Sequence, residues 1–333
     1  MAYYFVFLRI LLDISAPFRY TVFESGHRQY YGEENMTGCT IEAPGKINLH
    51  LQVKERRSDG YHELESIFVA LAFGDRLRFE LTSKDEGCEL HGGGDIPPGQ
   101  NLIERAVALF RVRTGFSRGL RVWVEKRIPL GAGLGGGSSD AASTLRALNM
   151  LAATDLAPEA LGEMARSLGS DVPFFLSGGA ALVSGRGERI LPLRVPEGLS
   201  VVVVYPGFPS NTAGAFRLLD KQRDGQEIRD DGDTALLIRS LGEHPRGWPY
   251  RNDFLPVFLS AGNRETAEAY RGILQELATL GADFAGLSGA GSSCFGIFVD
   301  SGVAEKAART LRRPGNFVQV TFFLACLGAL VLK

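Results

Sequence analysis

Pro129-Leu-Gly-Ala-Gly-Leu-Gly-Gly-Gly-Ser-Ser-Asp-Ala-Ala142 is the stretch on which the reading of the whole chain turns. Five glycines lie between Gly131 and Gly137, ends included. Without a Cβ in the way, backbone N–H groups can turn toward one point. A helix is predicted from Ser138 to about Leu151, so the loop opens onto a helix N-terminus, whose unpaired N–H groups and dipole favour an anion. Before the loop, Leu120, Val122 and Val124 alternate with Arg121, Trp123 and Glu125, which predicts a strand. Strand, glycine loop and helix together make a phosphate cradle. Gly131-x-Gly133-x-x-Gly136 formally matches a dinucleotide fingerprint, but Pro129 interrupts the passage from strand to loop. No second parallel strand ends in an acidic residue about 20 positions on. A Walker A loop needs Gly-Lys-Ser/Thr, and this loop has no lysine. Ser139 and Asp140 suit a metal or phosphate contact, and each taken singly also suits a helix cap.

Upstream, Cys39 to Lys54 alternates. Ile47, Leu49, Leu51 and Val53 point one way; Lys46, Asn48, His50 and Gln52 point the other. That is the pattern of a half-buried strand. It sets Lys46 and Asn48 on one face, roughly 7 Å apart. Ser66 to Leu81 reads as more strand, broken at Gly74-Asp75, and Gly92 to Gly99 as a loop. Asn101 caps a predicted helix running to about Arg113. Downstream, Pro158 to Leu168 is helical, and Gly178 to Leu193 is a hairpin about Gly185-Arg-Gly. Leu199 to Tyr205 is almost wholly apolar, hence a buried strand. Asp224 to Asp233 is a polar surface excursion. Asn252 to Leu259 and Arg264 to Leu280 read as helices. Two strands, Phe284 to Leu287 and Cys294 to Val299, flank a Gly/Ser loop, and a helix follows to about Arg312. Segregated hairpins and helices predict an α+β fold in two lobes, divided near Leu193 to Leu199.

The 333 residues are 45% hydrophobic and 22% charged with a formal net charge of −2, the balance of a chain that folds around a core. There is no basic excess or stripe, so a nucleic-acid partner is not expected and a small molecule is. Cys39, Cys88, Cys294 and Cys326 are far apart with no C-x-x-C pair, which excludes zinc-finger spacing and suits a reducing cytoplasm. Two apolar stretches, Tyr3 to Leu12 and Phe317 to Leu332, are shorter than the ~20 residues of a spanning helix, so no membrane association is expected. The second reads as a buried strand or helix.

Pro-x-Gly-x-Gly-Leu-Gly-x-Gly-Ser-Ser-x-Ala-Ala closely resembles the ATP-binding motif of the GHMP kinases, named for galactokinase and the homoserine, mevalonate and phosphomevalonate kinases. Two more segments resemble the flanking motifs of that superfamily in the right order: Ala43-Pro-Gly-Lys-Ile-Asn-Leu49 and Leu287-Ser-Gly-Ala-Gly-Ser-Ser-Cys-Phe295. Three motifs in order, from about Cys39 to Val299, are specific where one is not. Lys46-Ile-Asn-Leu, Asp59-Gly-Tyr-His-Glu63, Gly169-Ser-Asp-Val-Pro-Phe174 and Arg251-Asn-Asp253 are similar to the diphosphocytidyl-methylerythritol kinases in particular. The resemblance implies a two-lobed fold, with an N-terminal ATP-binding domain over 36–195 and a C-terminal α/β-sandwich domain over 196–333.

It further implies ATP-dependent phosphorylation of a small cytidine diphosphate substrate, with Mg²⁺, in a cytoplasmic monomer or homodimer. Asp171 matches the catalytic aspartate that orients or deprotonates the acceptor hydroxyl, and Lys46 the lysine that neutralises charge on the transferring phosphoryl group. Pro129, Gly131, Gly133, Leu134, Gly135, Gly136, Gly137, Ser138 and Ser139 match the nucleotide loop, and Lys126 lies within reach of the phosphates. Asn48 and Thr212 match acceptor contacts. Tyr61, His62 and Phe216 match the residues that stack on and hydrogen-bond cytosine, where the edge contacts must discriminate because stacking does not. Metal ligands stay open. Another GHMP kinase, or a nucleotide-binding relative without activity, are the competing readings; the first is opposed by Gly60-Tyr-His62, the second by the presence of both Lys46 and Asp171. The resemblance begins just after Met36, so residues 1–35 are expected to be an extension of doubtful order, with translation starting at Met36.

Overall fold

Two long antiparallel strands, β2 (Met36–Arg56) and β3 (His62–Lys84), form the spine of the N-terminal half in the computed structural model, which describes residues 20–24, 36–84, 87–94, 96–97, 99–224 and 233–325. The expected break at Gly74-Asp75 does not occur. β3 runs through it, and the irregularity is absorbed as a register shift opposite Pro44 and Lys46. Gly74 serves close approach, not a turn: a Cβ there would collide with the Ala43 carbonyl on β2.

The sheet runs β1-β2-β3-β5-β4, with β1 (Tyr20–Glu24), β4 (Cys88–Gly92) and β5 (Arg118–Glu125). β5 pairs with the Arg76–Lys84 part of β3, while β6 (Ala180–Gly185) pairs with its Leu64–Val69 part and is followed by its own partner β7 (Arg189–Leu193). Within the upstream segment, Tyr20–Glu24 pairs antiparallel with β2. Tyr3 to Leu12 lies outside the described residues. Among the described residues, four helices accompany this sheet: α1 (Leu102–Thr114), α2 (Gly136–Leu151), α3 (Pro158–Leu168) and the short α4 (Phe174–Ser177). Phe79, Phe110, Leu145, Leu148 and Phe174 close the core between them.

The C-terminal half is a four-stranded sheet, β11-β8-β10-β9, from β8 (Ser200–Tyr205), β9 (Phe284–Leu287), β10 (Cys294–Phe298) and β11 (Phe317–Phe322). One face of it packs on α5 (Thr212–Arg223), α7 (Phe254–Ala261), α8 (Arg264–Thr279) and α9 (Ser301–Leu311) through Val202, Val204, Phe254, Tyr270 and Phe298. A further helix, α6 (Thr234–Ser240), precedes α7; most of the predicted excursion, 225–232, lies outside the described residues. The other face, Val201, Val203, Phe295 and Ile297, packs against Ile47, Leu49, Ile67 and Val69 of the first sheet. That explains the nearly uninterrupted apolar run at Leu199–Tyr205: both faces are covered.

The same packing corrects the half-buried reading of β2. Lys46, Asn48, His50 and Gln52 are all buried, because residues from other parts of the chain cover the polar face as well. The apolar C-terminal stretch resolves as strand over Phe317–Phe322, and Leu324 N–H then donates to Ala70 O at 2.8 Å on the first sheet. Residues 326–333 lie outside the description. Among the described residues no helix is long and apolar enough to cross a membrane.

Candidate active site

The glycine loop forms one wall of a cleft of about 230 Å³, lined by Leu102, Lys126, Ile128 and the chain from Pro129 to Ser138. Helix α2 starts at Gly136, two residues earlier than predicted, with left-handed Gly135 (φ 72°) as N-cap and no side-chain cap. Ser139 and Asp140 therefore do not cap it. They sit buried in its first turn, and Ser139 Oγ and Asp140 Oδ1 have no hydrogen-bond partner among the described residues. Gly133 (φ 77°) shows why a glycine is required: a Cβ would collide with the Gly291 carbonyl and lie 2.6 Å from Ser288 O. The contact with the C-terminal Gly/Ser loop is hydrogen-bonded. Ser288 Oγ donates to Gly133 O at 3.0 Å, and Ser293 N–H to Ala132 O at 3.0 Å.

β2 brings Lys46 to the same place. Its backbone N–H donates to Leu134 O of the glycine loop at 2.9 Å. Its ammonium, on a side chain 5% exposed, donates to Asn48 Oδ1 at 2.6 Å, lies 3.5 Å from Asp171 Oδ2 and stands 4.5 Å from the centre of the Phe68 ring. The Asn48 amide is itself oriented: Nδ2 donates to Ser66 Oγ at 2.9 Å, and that hydroxyl donates to His50 O. Asp171 sits in the turn between α3 and α4 with 34% of its side chain exposed. A buried cation and a partly accessible carboxylate thus stand beside the glycine loop.

Behind the loop lies a buried charged triad. Lys126 Nζ donates to Asp75 and, at 2.9 Å, to Asp140 Oδ2. The other oxygen of Asp75 accepts from the backbone N–H groups of Arg127 (2.6 Å) and Ile128 (2.8 Å). Asp75 thereby ties the entry of the loop and the first turn of α2 to the central strand. Burial drives the Asp140 carboxyl up to about 7, opposed by Lys126 and reinforced by Asp75. Burial works against the charge on Lys126, but Asp140 and Asp75 outweigh it and raise its pKa. Lys126 lines the cleft, with its ammonium already shared between two carboxylates.

The residues matched to cytosine recognition gather where β3 begins and α5 packs. His62 and Phe216 are stacked on each other, ring centres 5.2 Å apart and 19° from parallel. His62 Nε2 is 2.8 Å from Asp220 Oδ1. Tyr61, 56% exposed, stands with the Arg186 guanidinium 4.9 Å from its ring centre. Thr212 is exposed at the first turn of α5. Sequence reading missed Asp220 and Arg223, although they follow Phe216 at i+4 and i+7 and so share its helix face. It took Asp75 for part of a strand break, and it saw no role for Ser66.

Known proteins bear on this arrangement. The family descriptions "GHMP kinases N terminal domain" and "GHMP kinases C terminal" match residues 101–179 and 232–316. The 4-diphosphocytidyl-2-C-methyl-D-erythritol kinase of Treponema pallidum is 36% identical over 285 residues, 84% of this chain and 96% of that one. The enzyme of the same name from Anaeromyxobacter dehalogenans is 40% identical over 291 residues, 85% of this chain and 88% of its own. A crystal structure of a 4-(cytidine 5'-diphospho)-2C-methyl-D-erythritol kinase superposes with a TM-score of 0.72 at 35% identity, covering 86% of this chain and 99% of that one. With the three glycine segments meeting around Lys46 and Asp171, these similarities show that the chain belongs to the 4-diphosphocytidyl-2-C-methyl-D-erythritol kinase family of the GHMP kinases.

Proposed function

We propose that the enzyme transfers the γ-phosphoryl group of ATP to the 2-hydroxyl of 4-diphosphocytidyl-2-C-methyl-D-erythritol, with Asp171 and Lys46 as its catalytic residues. The observation that carries this is the shared anchoring of Lys46: side chain 3.5 Å from Asp171, backbone bonded to the glycine loop at Leu134. Asp171 takes the proton of the acceptor hydroxyl as its oxygen bonds to the γ-phosphorus. The bond from that phosphorus to the bridging oxygen breaks, and its electron pair leaves with ADP. Lys46 offsets the charge spread over the transferring group, in a setting whose dipoles are already aligned. Asn48, held by Ser66, fixes the acceptor, with Thr212 as a further contact. Pro129, Gly131, Gly133, Leu134, Gly135, Gly136, Gly137 and Ser138 hold the ATP phosphates, and Lys126 keeps that loop strapped to the sheet.

Mg²⁺ fits this donor set. It takes one or two carboxylates together with substrate phosphates, and the orphaned Ser139 hydroxyl and Asp140 Oδ1 sit in the first turn of the helix that opens from the loop. These two residues would hold it, and it would supply charge neutralisation on the phosphates. At the other end, Tyr61, His62 and Phe216 take the cytosine ring, His62 reading its edge. We further propose that the domains divide at 195/196, and that the enzyme works in the cytoplasm as a monomer or homodimer without nucleic acid. The test is ADP release from ATP and Mg²⁺ with 4-diphosphocytidyl-2-C-methyl-D-erythritol as acceptor, against homoserine and mevalonate as controls. Turnover of a control in preference to the cytidine compound refutes the substrate.

A further inference from the structure

We infer that Arg251-Asn252-Asp253 is a positioning device that joins the two substrate sites, Asn252 acting on the phosphate side and Asp253 on the acceptor side. This rests on α5 being the acceptor helix, as proposed above. The triplet lies along β2: Leu51 N–H donates to Arg251 O at 2.8 Å, and Asp253 N–H donates back to Leu51 O at 3.0 Å. Its backbone is thus fixed a few residues from Lys46, on the strand that carries it.

From there the two side chains bind different parts of the molecule. Asn252 is 8% exposed and fully used. Its Nδ2 donates to Leu287 O at 2.7 Å and to Gly289 O at 2.8 Å, while Oδ1 accepts from Phe254 N–H at 2.9 Å. The loop it holds wedges between catalysis and cradle. A Cβ on Gly289 would stand 3.4 Å from Asn48 Oδ1 and 3.7 Å from Lys46 Nζ, and the adjoining Ser288 hydroxyl is bonded to Gly133 O. Letting go of those two carbonyls frees the surface against which Lys46 and the glycine loop are set.

Asp253 points to the other site. Its Oδ2 accepts from Val53 N–H at 2.9 Å and from Arg223 Nη2 at 2.7 Å, and Arg223 Nη1 donates to Val53 O at 2.5 Å. Arg223 is the last residue of α5, on the face that presents Phe216 and Asp220 to His62. The clasp therefore fixes how α5 meets the start of β3, where the cytidine end is recognised.

Because neighbouring residues serve opposite ends of the reaction, their loss should separate the two Michaelis constants. Asn252→Ala should raise KM for ATP about tenfold and lower kcat, with a smaller rise, about threefold, in KM for the cytidine diphosphate acceptor through the contact of the Gly289 loop with Asn48. Arg223→Gln should raise KM for the acceptor about tenfold, with KM for ATP within twofold, and Arg223→Lys should recover part of the loss. A merely structural role would move both constants together. The unaltered enzyme is assayed first: failure to turn over the acceptor refutes the substrate assignment. In an active enzyme, variants that raise both constants equally, or raise neither, overturn the inference. If Asn252→Ala does not fold by circular dichroism, Arg223→Gln, whose side chain is partly exposed, decides alone, and an unchanged acceptor KM then overturns it.

Discussion

Asp171→Asn removes one negative charge 3.5 Å from the Lys46 ammonium while keeping the side chain's shape. Coulomb's law at an effective dielectric constant of about 20 gives roughly 5 kcal/mol for such a pair. That gross figure does not become stability: with 34% of the Asp171 side chain exposed, solvent screening leaves on the order of 1 kcal/mol. For a chain of this size, that moves the melting temperature by about 2–4 °C at most. Turnover is another matter. An amide cannot accept the proton of the acceptor hydroxyl, and loss of a general base lowers kcat by roughly 10² to 10⁴, about 3–5 kcal/mol in the barrier. The expected result is a folded variant with nearly unchanged melting and kcat down at least a hundredfold. It is read by coupled ADP release at saturating ATP, Mg²⁺ and acceptor, beside thermal denaturation followed by circular dichroism. A folded Asp171→Asn enzyme with kcat within tenfold of the unaltered one would refute the role given to this carboxylate.

Three further outcomes follow from other parts of the structure. CDP should inhibit much better than UDP, and His62→Ala should narrow that gap, because a site built on hydrogen bonds penalises partners that leave its polar groups unpaired; equal inhibition of the unaltered enzyme by both speaks against base readout. Gly133→Ala should raise KM for ATP and cost about 1–3 kcal/mol of stability, since its left-handed backbone is strained for alanine and the added carbon meets carbonyl oxygens; unchanged melting and KM would show that the two loops separate freely. His50 is buried, with Arg251 and Lys54 adding to the effect and Asp253 opposing it, so its pKa falls from 6.5 to about 4. The unfolded chain then takes up the proton first. This contribution is intact above pH 6.5 and is lost as pH falls toward 4, worth roughly 3 kcal/mol. His50→Gln should flatten that acid limb of melting temperature against pH, and an unaltered slope would exclude His50 as its source.

The glycine loop, its helix and its two companion motifs were legible because glycine in such density has few other uses. The alternation of β2 put Lys46 and Asn48 together correctly. What it could not show was the covering of their face, since periodicity reports the difference between two faces and not what lies beyond each. The pairing of Lys46 with Asp171 came from family resemblance alone; no local pattern ties a strand to a turn so far along the chain. For Ser139 and Asp140 a helix cap stood open beside a metal or phosphate contact, because caps are commonly serine and aspartate; Gly135 in the left-handed region starts the helix earlier, and neither residue caps it. Asp75 was obscured by its neighbour: Gly74-Asp75 has the composition of a turn, and only the closeness of β2 shows that the glycine is there for contact and the aspartate for the strap.

The core shared by the two sheets has a consequence for synthesis. Ile47, Leu49, Ile67 and Val69 find their apolar cover on Val201, Val203, Phe295 and Ile297. Val69 and Ile297 are about 230 residues apart, so at ~5–20 residues per second a ribosome needs on the order of 10–50 s between them. Until β8 and then β10 emerge, the first sheet lacks the aliphatic cover that the second sheet gives this face. The nascent protein should therefore depend on holding chaperones during elongation. Slowing translation ahead of β10 should increase aggregation rather than relieve it.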